Sequence, residues 1–213
     1  MDKARVTKAL EQLQAEKQRK FQQSYDFIVT LKDINVKTQP IDAYVVLPHS
    51  RGKTVKVCAL VGQELAEQAA KNCDLVIREM QFDAYKGKPK DAKKLAKTYD
   101  FFIAQANLMT QIAAVFGRSF GPRGKMPNPK AGCVVPPQAN LAVLKERLQK
   151  TVHVKAKDAL MLQCIIGNEK MSMDEVTDNV MAVLTQVTKA LPNEEQNINC
   201  IYLKKTMSKP VKV

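Results

Sequence analysis

Apolar side chains recur along the chain with two spacings, one typical of helices and one typical of strands. Val6, Leu10 and Leu13 are spaced as on one face of a helix, with charged and amide residues between them. The run Ser24–Leu31 is rich in β-branched and aromatic residues and predicts a strand, and Ala43–Leu47 predicts a second. The chain therefore begins with a helix followed by two strands.

Beyond Val55 the pattern changes to short apolar runs that alternate with helical periodicity as far as Leu148. Strands are predicted at Val55–Val61, Asp74–Ile77 and Tyr99–Ala104. Asn107 is a candidate N-cap for a helix, and a loop rich in proline and glycine is expected over Gly117–Pro137. This β-α-β-α order predicts a small parallel sheet covered by helices, as in Rossmann-like domains.

The C-terminal third returns to strands and one long helix. Strands are predicted at Val152–Val154, Leu160–Ile166 and Asn199–Leu203, and Ser172–Glu175 has the pattern of a capping box that opens a helix. We therefore predict an α/β protein of two domains. Residues 1–50 together with 151–213 would form a discontinuous α+β outer domain with a mainly antiparallel sheet, and residues 51–150 would form an inserted α/β domain.

The charge of the chain favours nucleic acid as a partner. Among its 213 residues are 34 Lys and Arg against 21 Asp and Glu, a net charge of +13. Residues 51–151 hold 18 Lys and Arg and 8 Asp and Glu, which is +10 and leaves +3 for the remainder. The segment 86–97 is especially rich in lysine, and a merely solvated helix face is the alternative explanation for it.

Other classes of protein receive little support. No apolar stretch is long enough for a transmembrane helix, so no membrane partner is expected, and the charged N-terminal sequence is unlike a secretory signal. Five widely spaced cysteines favour neither disulfides nor zinc and suit a reducing cytoplasm. His49 and His153 stand in separate contexts, so no metal and no cofactor are expected.

An enzyme is also disfavoured, although the predicted parallel sheet keeps a nucleotide-handling enzyme open as an alternative. The segment Ser119–Met126 is the nearest approach to a phosphate-binding loop, but it lacks the first glycine of that motif and ends in Met126 instead of Ser or Thr. Pro122 also removes one backbone N–H. The chain has no GxGxxG motif, and no pair of carboxylates is marked out for acid–base chemistry.

The segment Gly117–Gly132 is the most distinctive stretch of the sequence. Its four glycines and three prolines specify an unusual backbone path, and four cations lie along it: Arg118, Arg123, Lys125 and Lys130. One interpretation is a rigid loop with solvated charges, and the other is a loop that contacts phosphate. Its residues GPRGKMPNPKAG closely resemble the GPRGxMPNPKAG signature of the ribosomal L-one protein family, which forms the mobile side stalk of the large subunit.

Further landmarks of this family occur in the same order along essentially the whole chain. They are Lys20-Phe21, the LKDI run at Leu31–Ile34, Leu47-Pro48-His49 with Gly52-Lys53, and Tyr202 through Thr206-Met207. The LKDI run is more similar to archaeal members than to bacterial ones. The family's split first domain and inserted second domain also agree with the division predicted above.

The resemblance implies a set of RNA-binding residues in the outer domain. These are Lys20, Phe21, Ser24, Asp26, Cys200, Lys204, Lys205, Thr206, Met207 and Ser208. Without the resemblance, Phe21 and Met207 would be expected in the core. Ser208 replaces the glycine of the family's Thr-Met-Gly motif, and Cys200 stands where many members have serine. At these two positions the contact with RNA could therefore differ from that of the family.

The resemblance also implies partners and a function. The protein would be a structural, non-enzymatic constituent of the cytoplasmic large ribosomal subunit, monomeric when free, that binds side-stalk rRNA. It would assist the release of exit-site tRNA, and repression of translation by binding its own mRNA is a further role that the resemblance implies. The inserted domain would add phosphate contacts of lower specificity through Arg118, Arg123, Lys125 and Lys130. A protein that binds polyanions without selectivity is the third alternative.

Overall fold

The computed structural model describes residues 3–16, 19–36, 38–157 and 159–213, and these form two compact units. Unit 1 consists of Met1–Lys53 and Lys150–Val213, and unit 2 consists of Thr54–Gln149. No helix among the described residues is long and apolar enough to cross a membrane.

Seven helices and ten strands occur in the described part of the chain. The helices are α1 (Lys3–Ala15), α2 (Gln63–Asn72), α3 (Phe82–Tyr85), α4 (Pro89–Thr98), α5 (Met109–Phe120), α6 (Leu141–Lys150) and α7 (Met173–Ala190). The strands are β1 (Ser24–Leu31), β2 (Ile41–Val46), β3 (Val57–Val61), β4 (Leu75–Arg78), β5 (Phe101–Gln105), β6 (Val134–Val135), β7 (Thr151–Ala156), β8 (Met161–Asn168), β9 (Ile198–Lys205) and β10 (Val211–Lys212).

Unit 1 is built on an antiparallel sheet of order β10-β9-β1-β8, with β2 and β7 forming a separate antiparallel pair. Along β1 every second residue is buried, from Tyr25 to Leu31, because successive side chains of a strand point to opposite faces. The buried face packs against α1 and α7, and Phe27, Leu10 and Val180 belong to the same apolar core. The opposite face of this sheet carries the intermediate and exposed positions.

The capping box predicted at the start of the long helix is confirmed. Ser172 Oγ accepts a hydrogen bond from the Glu175 N–H at 3.3 Å, and Glu175 Oε2 accepts one from the Ser172 N–H at 3.0 Å. Two of the backbone donors at the start of α7 are thereby satisfied. The apolar stripe of α7, which includes Val176, Val183 and Val187, faces the core of unit 1.

Unit 2 contains the predicted parallel sheet, with strand order β4-β3-β5-β6. All five residues of β3 are buried, as expected for a strand that is covered on both faces. Aromatic rings form part of the packing between the sheet and α5: the Phe120 ring stacks on that of Phe116, with centroids 5.1 Å apart, and lies tilted against that of Phe102 in β5, with centroids 4.3 Å apart. The predicted α/β class, with one antiparallel and one parallel sheet, is confirmed.

Two local predictions differ from the structure, and one short strand was not predicted. Asn107 does not cap α5, because a 3₁₀ turn over Ala106–Leu108 precedes that helix. The helix then continues to Phe120, so the glycine- and proline-rich loop starts at Gly121, where further 3₁₀ turns begin. The strand that the sequence did not predict is β10: after Lys205 the chain turns back and adds β10 to the sheet edge.

Replacement of Gly52 by alanine should destabilise unit 1 by about 2–5 kcal/mol, because two separate costs add. Its φ of +81° is unfavourable for any residue with a Cβ, and the new Cβ would lie 2.8 Å from the backbone of Gly167 and Asn168. Gly87→Ala is the matched control, since Gly87 has a φ of +82° and open space around it. Urea unfolding should show a loss of only about 1–2 kcal/mol for the control. Equal losses in both variants would contradict the steric part of the prediction.

Candidate nucleic-acid interface

Four of the predicted RNA-contact residues lie on the uncovered face of the unit 1 sheet. Ser24 and Asp26 alternate with buried residues along β1, and Cys200 and Lys204 do so along β9. Asp26 lies directly opposite Lys204 in the β1–β9 register. Burial raises the pKa of Asp26 above its ordinary value, and the positive charge of Lys204 partly offsets this. A carboxylate acceptor and a cation are therefore adjacent on one surface.

The segments before β1 and after β9 meet at one end of this face. The Ser24 N–H donates to Thr206 Oγ1 at 3.2 Å, although the two residues are 182 positions apart in the sequence. Beside this contact two large apolar side chains lie open to solvent: Phe21 is 50% exposed and Met207 is 59% exposed. Neither residue belongs to the core, which was the alternative expected from residue type alone.

Two polar residues that the sequence analysis missed hold these segments together. Gln23 Oε1 accepts from the Met207 N–H at 3.0 Å, and the Gln23 side-chain amide donates to Glu169 Oε1 at 3.1 Å. The Gln23 N–H donates to the other oxygen of Glu169 at 3.0 Å. The residues are 146 positions apart, so no spacing in the sequence links them. The only local indication was a polar residue next to a predicted strand.

Lys205 is buried, although the resemblance implies that it contacts RNA directly. Its side chain is only 4% exposed, and its ammonium lies 3.0 Å from Glu169 Oε1 and 5.9 Å above the centre of the Tyr25 ring. The alternation along β9 explains this placement, because Lys204 faces the uncovered side and Lys205 therefore faces inward. Lys205 supports the interface from below and does not present its charge at the surface.

A hollow of about 530 Å³ lies in this region of unit 1. It is lined by Gln14, Arg19, Lys20, Phe21, Gln22, Tyr25, Glu169, Lys170 and Lys205. Arg19, Lys20 and Lys170 are exposed, so its rim is cationic. The hollow, the two exposed apolar side chains and the uncovered sheet face supply the three kinds of group that RNA binding requires: cations, apolar surface and hydrogen-bond acceptors.

The four predicted phosphate contacts of unit 2 are not equivalent. Arg118 and Lys130 are exposed. Arg123 donates to the Ser119 carbonyl oxygen at 3.0 Å, and the Lys125 ammonium donates to the Asp100 carbonyl oxygen at 2.9 Å and lies 3.8 Å from the Asp100 carboxylate. Arg123 and Lys125 therefore stabilise the loop, whereas Arg118 and Lys130 present their charge to solvent.

The division of charge also changes when the structural boundaries are used. Unit 2 holds 15 Lys and Arg and 8 Asp and Glu, so it carries +7 and leaves +6 of the total +13 for unit 1. The expected imbalance of +10 to +3 depends on assigning Arg51, Lys53 and Lys150 to the inserted domain, whereas all three belong to unit 1. What distinguishes unit 2 is local density: all six lysines of residues 86–97 are exposed.

The geometry of unit 2 disfavours nucleotide chemistry. In open α/β sheets ligands bind at the carboxyl ends of strands where the connections diverge, which in this sheet lies between β3 and β5. The side chain of Gln105, only 2% exposed, occupies that point and accepts from the Gly62 N–H at the start of α2 at 2.8 Å. Lys125 lies at the opposite edge, beside Asp100 at the amino end of β5. A phosphate at that point would meet the Gln105 side chain and the Glu64 carboxylate, and Lys125 would lie at the far end of the sheet.

Comparison with known proteins finds relatives that match nearly the whole chain. The model of the Ribosomal protein L1p/L10e family matches residues 13–209. The chain is 40% identical to large ribosomal subunit protein uL1 of Methanocaldococcus jannaschii, over all of this chain and 96% of that protein. It is 39% identical to the uL1 of Pyrococcus horikoshii, over all of this chain and 96% of that protein. The uL1 of Nanoarchaeum equitans is 38% identical, over 92% and 93% of the respective lengths.

Glu169 should make unit 1 sensitive to acid. Burial acts to raise its pKa, but the hydrogen bonds from Gln23 and Lys205 together with the Lys205 charge outweigh burial and hold the pKa below its ordinary 4.5. A carboxyl group whose pKa is depressed on folding contributes stability above its unfolded pKa and loses it as the pH falls through the folded value. We expect Glu169→Gln to cost about 2 kcal/mol at pH 7.

This difference between wild type and Glu169→Gln should shrink as the pH falls below 4.5 and through the lower pKa of folded Glu169, where the wild-type side chain also becomes neutral. Urea unfolding of both proteins from pH 7 to pH 3 measures it, and subtraction cancels the other titrating groups. A difference that stays constant over this range would show that the charge of Glu169 does not stabilise the fold.

Proposed function

Because this chain belongs to the ribosomal protein L1p/L10e family, as the match over residues 13–209 shows, we propose that unit 1 binds the side-stalk region of large-subunit rRNA. The protein is a structural constituent of the cytoplasmic large ribosomal subunit and not an enzyme, and rRNA binding is general in the family. The proposed contact surface, the RNA-binding face, consists of Lys20, Phe21, Ser24, Asp26, Cys200, Lys204, Thr206 and Met207, and Ser208 lies at the end of the turn that bears the last two.

The observation that carries the proposal is the exposure of Phe21 and Met207 beside a cationic rim. Apolar side chains half or more exposed are common singly, but here one lies just before β1 and the other in the turn after β9, and the Ser24–Thr206 hydrogen bond joins these two segments in a protein of net charge +13. Phe21 can stack on a base or a ribose, and the thioether of Met207 adapts to an irregular groove. Exclusion of water from these two side chains would add affinity that does not depend on salt.

Specificity for RNA would come from the acceptors on the sheet. Ser24 and Asp26 share the uncovered face of β1, where their oxygens can accept from ribose 2′-hydroxyls or base amines. Lys204 and Lys20 would contact phosphates. The cations would position the RNA, and the acceptors and apolar side chains would distinguish its shape.

Unit 2 would contribute phosphate contacts of lower specificity. Its lysine-rich segment 86–97, together with Arg118 and Lys130, presents exposed charge with few features that could recognise a base. We propose that this unit raises the association rate and the affinity for RNA of any sequence.

Two finer roles complete the proposal. The chain would assist the movement and release of exit-site tRNA, and it would repress translation by binding an element in its own mRNA. The side-stalk rRNA and the mRNA element would bind to the same RNA-binding face, since one surface can hold two RNAs of similar shape. The affinity for rRNA would then have to exceed that for mRNA, so that repression begins only when rRNA is saturated.

We propose that the free protein is a monomer.

A salt titration of binding separates this proposal from non-selective polyanion binding. We expect a stalk-rRNA fragment to bind orders of magnitude more tightly than a random RNA of equal length, and the ratio to persist as salt rises. Two binding curves that weaken in parallel and converge would show that the net charge accounts for all binding. That result would overturn the proposed function.

Phe21→Ala should weaken binding to the stalk fragment by about 1–3 kcal/mol, the usual contribution of an aromatic side chain that stacks on a base. The free energy of unfolding of Phe21→Ala should be close to that of wild type, because half of the Phe21 side chain is already exposed. Met80→Ala is a matched control, since Met80 is a 78% exposed apolar residue of unit 2 outside the RNA-binding face. Wild-type affinity for the stalk fragment in Phe21→Ala would remove this residue from the RNA-binding face.

Replacement of Lys90, Lys93 and Lys97 by glutamine should weaken binding to the stalk fragment and to random RNA by the same factor. The loss of each lysine that contacts a phosphate should make the plot of log K against log salt less steep by about 0.9. The same three positions changed to arginine keep the charge and serve as the control. A selective loss of stalk binding would mean that unit 2 takes part in recognition of the RNA shape.

A further inference from the structure

The turn that presents Thr206 and Met207 is closed by the side chain of Ser208. The Lys205 N–H donates to Ser208 Oγ at 2.7 Å, and the Ser208 N–H donates to the Lys205 carbonyl oxygen at 3.2 Å. The Ser208 hydroxyl also lies 3.0 Å from the Lys209 carbonyl oxygen, to which it can donate. One residue therefore satisfies both backbone groups at the end of β9.

The shortness of β10 explains why Lys205 requires this partner. Backbone groups of alternate residues in β9 face the edge that β10 covers. Leu203 pairs with Val211 in β10, and the Ile201 carbonyl oxygen accepts from the Val213 N–H at 3.0 Å. Lys205 is the next residue on the same edge and lies beyond the pairs that β10 makes. The Ser208 side chain takes the place of the missing strand residue.

A second hydrogen bond anchors the opposite side of the turn. The Met207 N–H donates to Gln23 Oε1, and Glu169 in turn accepts from Gln23. The Met207 backbone is thus fixed while its side chain points to solvent. Because Gln23 holds one end of the turn and Ser208 the other, the turn has a defined shape in the protein without RNA.

We propose that Ser208 is a positioning residue, which holds the Thr206–Met207 turn in its RNA-binding shape before RNA arrives; this rests on the proposed function. A loop that is ordered in advance loses less conformational entropy on binding, so a larger part of the contact energy appears as affinity. In the family motif quoted above the corresponding residue is glycine. Glycine would keep the bond from its own N–H to Lys205 but would leave the Lys205 N–H without an acceptor.

Conformation gives no reason for glycine at this position. Among the described residues other than glycine, only Asp33 and Glu194 have a positive φ, so the backbone of Ser208 is one that any residue adopts. The serine side chain therefore adds a hydrogen bond without introducing strain. The departure of this chain from the family motif strengthens the turn.

The test compares Ser208→Ala, which removes the hydroxyl, with Ser208→Thr, which retains it. In the protein without RNA, we expect the Lys205 amide hydrogen to exchange at least about fivefold faster in Ser208→Ala than in wild type, and its affinity for the stalk-rRNA fragment to fall by about three- to tenfold. The slope of affinity against salt should not change, because no phosphate contact is lost. Ser208→Thr should remain within about twofold of wild type in both measurements.

Thr185→Ala is the matched control, since it removes a hydroxyl that donates to the Met181 carbonyl oxygen on the exposed side of α7. All binding is measured under conditions in which circular dichroism shows that each variant is folded. A loss of affinity in Ser208→Ala without faster Lys205 exchange would mean that the hydroxyl contacts RNA directly and would overturn the positioning role. Faster exchange with unchanged affinity would also overturn it. Failure of wild type to prefer the stalk fragment would instead contradict the proposed function, and the exchange data would still show whether Ser208 orders the turn.

Discussion

The antiparallel pairing of β1 with β9 is the constraint on which unit 1 and its interface depend. It aligns Asp26 with Lys204 and Thr30 with Cys200, and it brings Ser24 to Thr206 across 182 residues of sequence. Because side chains alternate along a strand, a slip of one residue would turn the interface residues inward and expose the core. The apolar residues beneath β1, which pack against α1 and α7, prevent such a slip. The strand register that buries the core therefore also fixes the geometry of the RNA-binding face.

Beneath the RNA-binding face, Glu169 joins three parts of the chain. It accepts hydrogen bonds from Gln23, before β1, and from Lys205, at the end of β9, while its own position follows β8. Lys205 is nearly fully buried, so loss of its partner would leave an uncompensated charge. This arrangement explains why a lysine in a basic tail serves the interface without reaching its surface. The exposed residues around it are positioned by Gln23 and Lys205, both of which are nearly fully buried.

Unit 2 shows that a sheet topology does not determine an activity. Its parallel sheet has the point of divergence at which α/β enzymes bind nucleotides, but Gln105 fills it with an amide that bonds to the start of α2 and to Glu64. The conspicuous Gly121–Gly132 segment instead folds into 3₁₀ turns, with Lys125 held by Asp100. What the unit offers to solvent is lysine, which suits electrostatic attraction to RNA.

Local patterns in the sequence were sufficient for the elements and the class of fold, because burial periodicity and capping depend on neighbouring residues. The strand at Ser24–Leu31, the capping box at Ser172 and the parallel order of unit 2 all follow from such patterns. The motifs also indicated the family, which the family match confirms. Only the tertiary structure decided that Lys205 is buried, that Gln23 and Glu169 support the turn and that Phe21 is exposed. Those outcomes depend on strand register and on contacts between residues far apart in the chain, which no local spacing encodes.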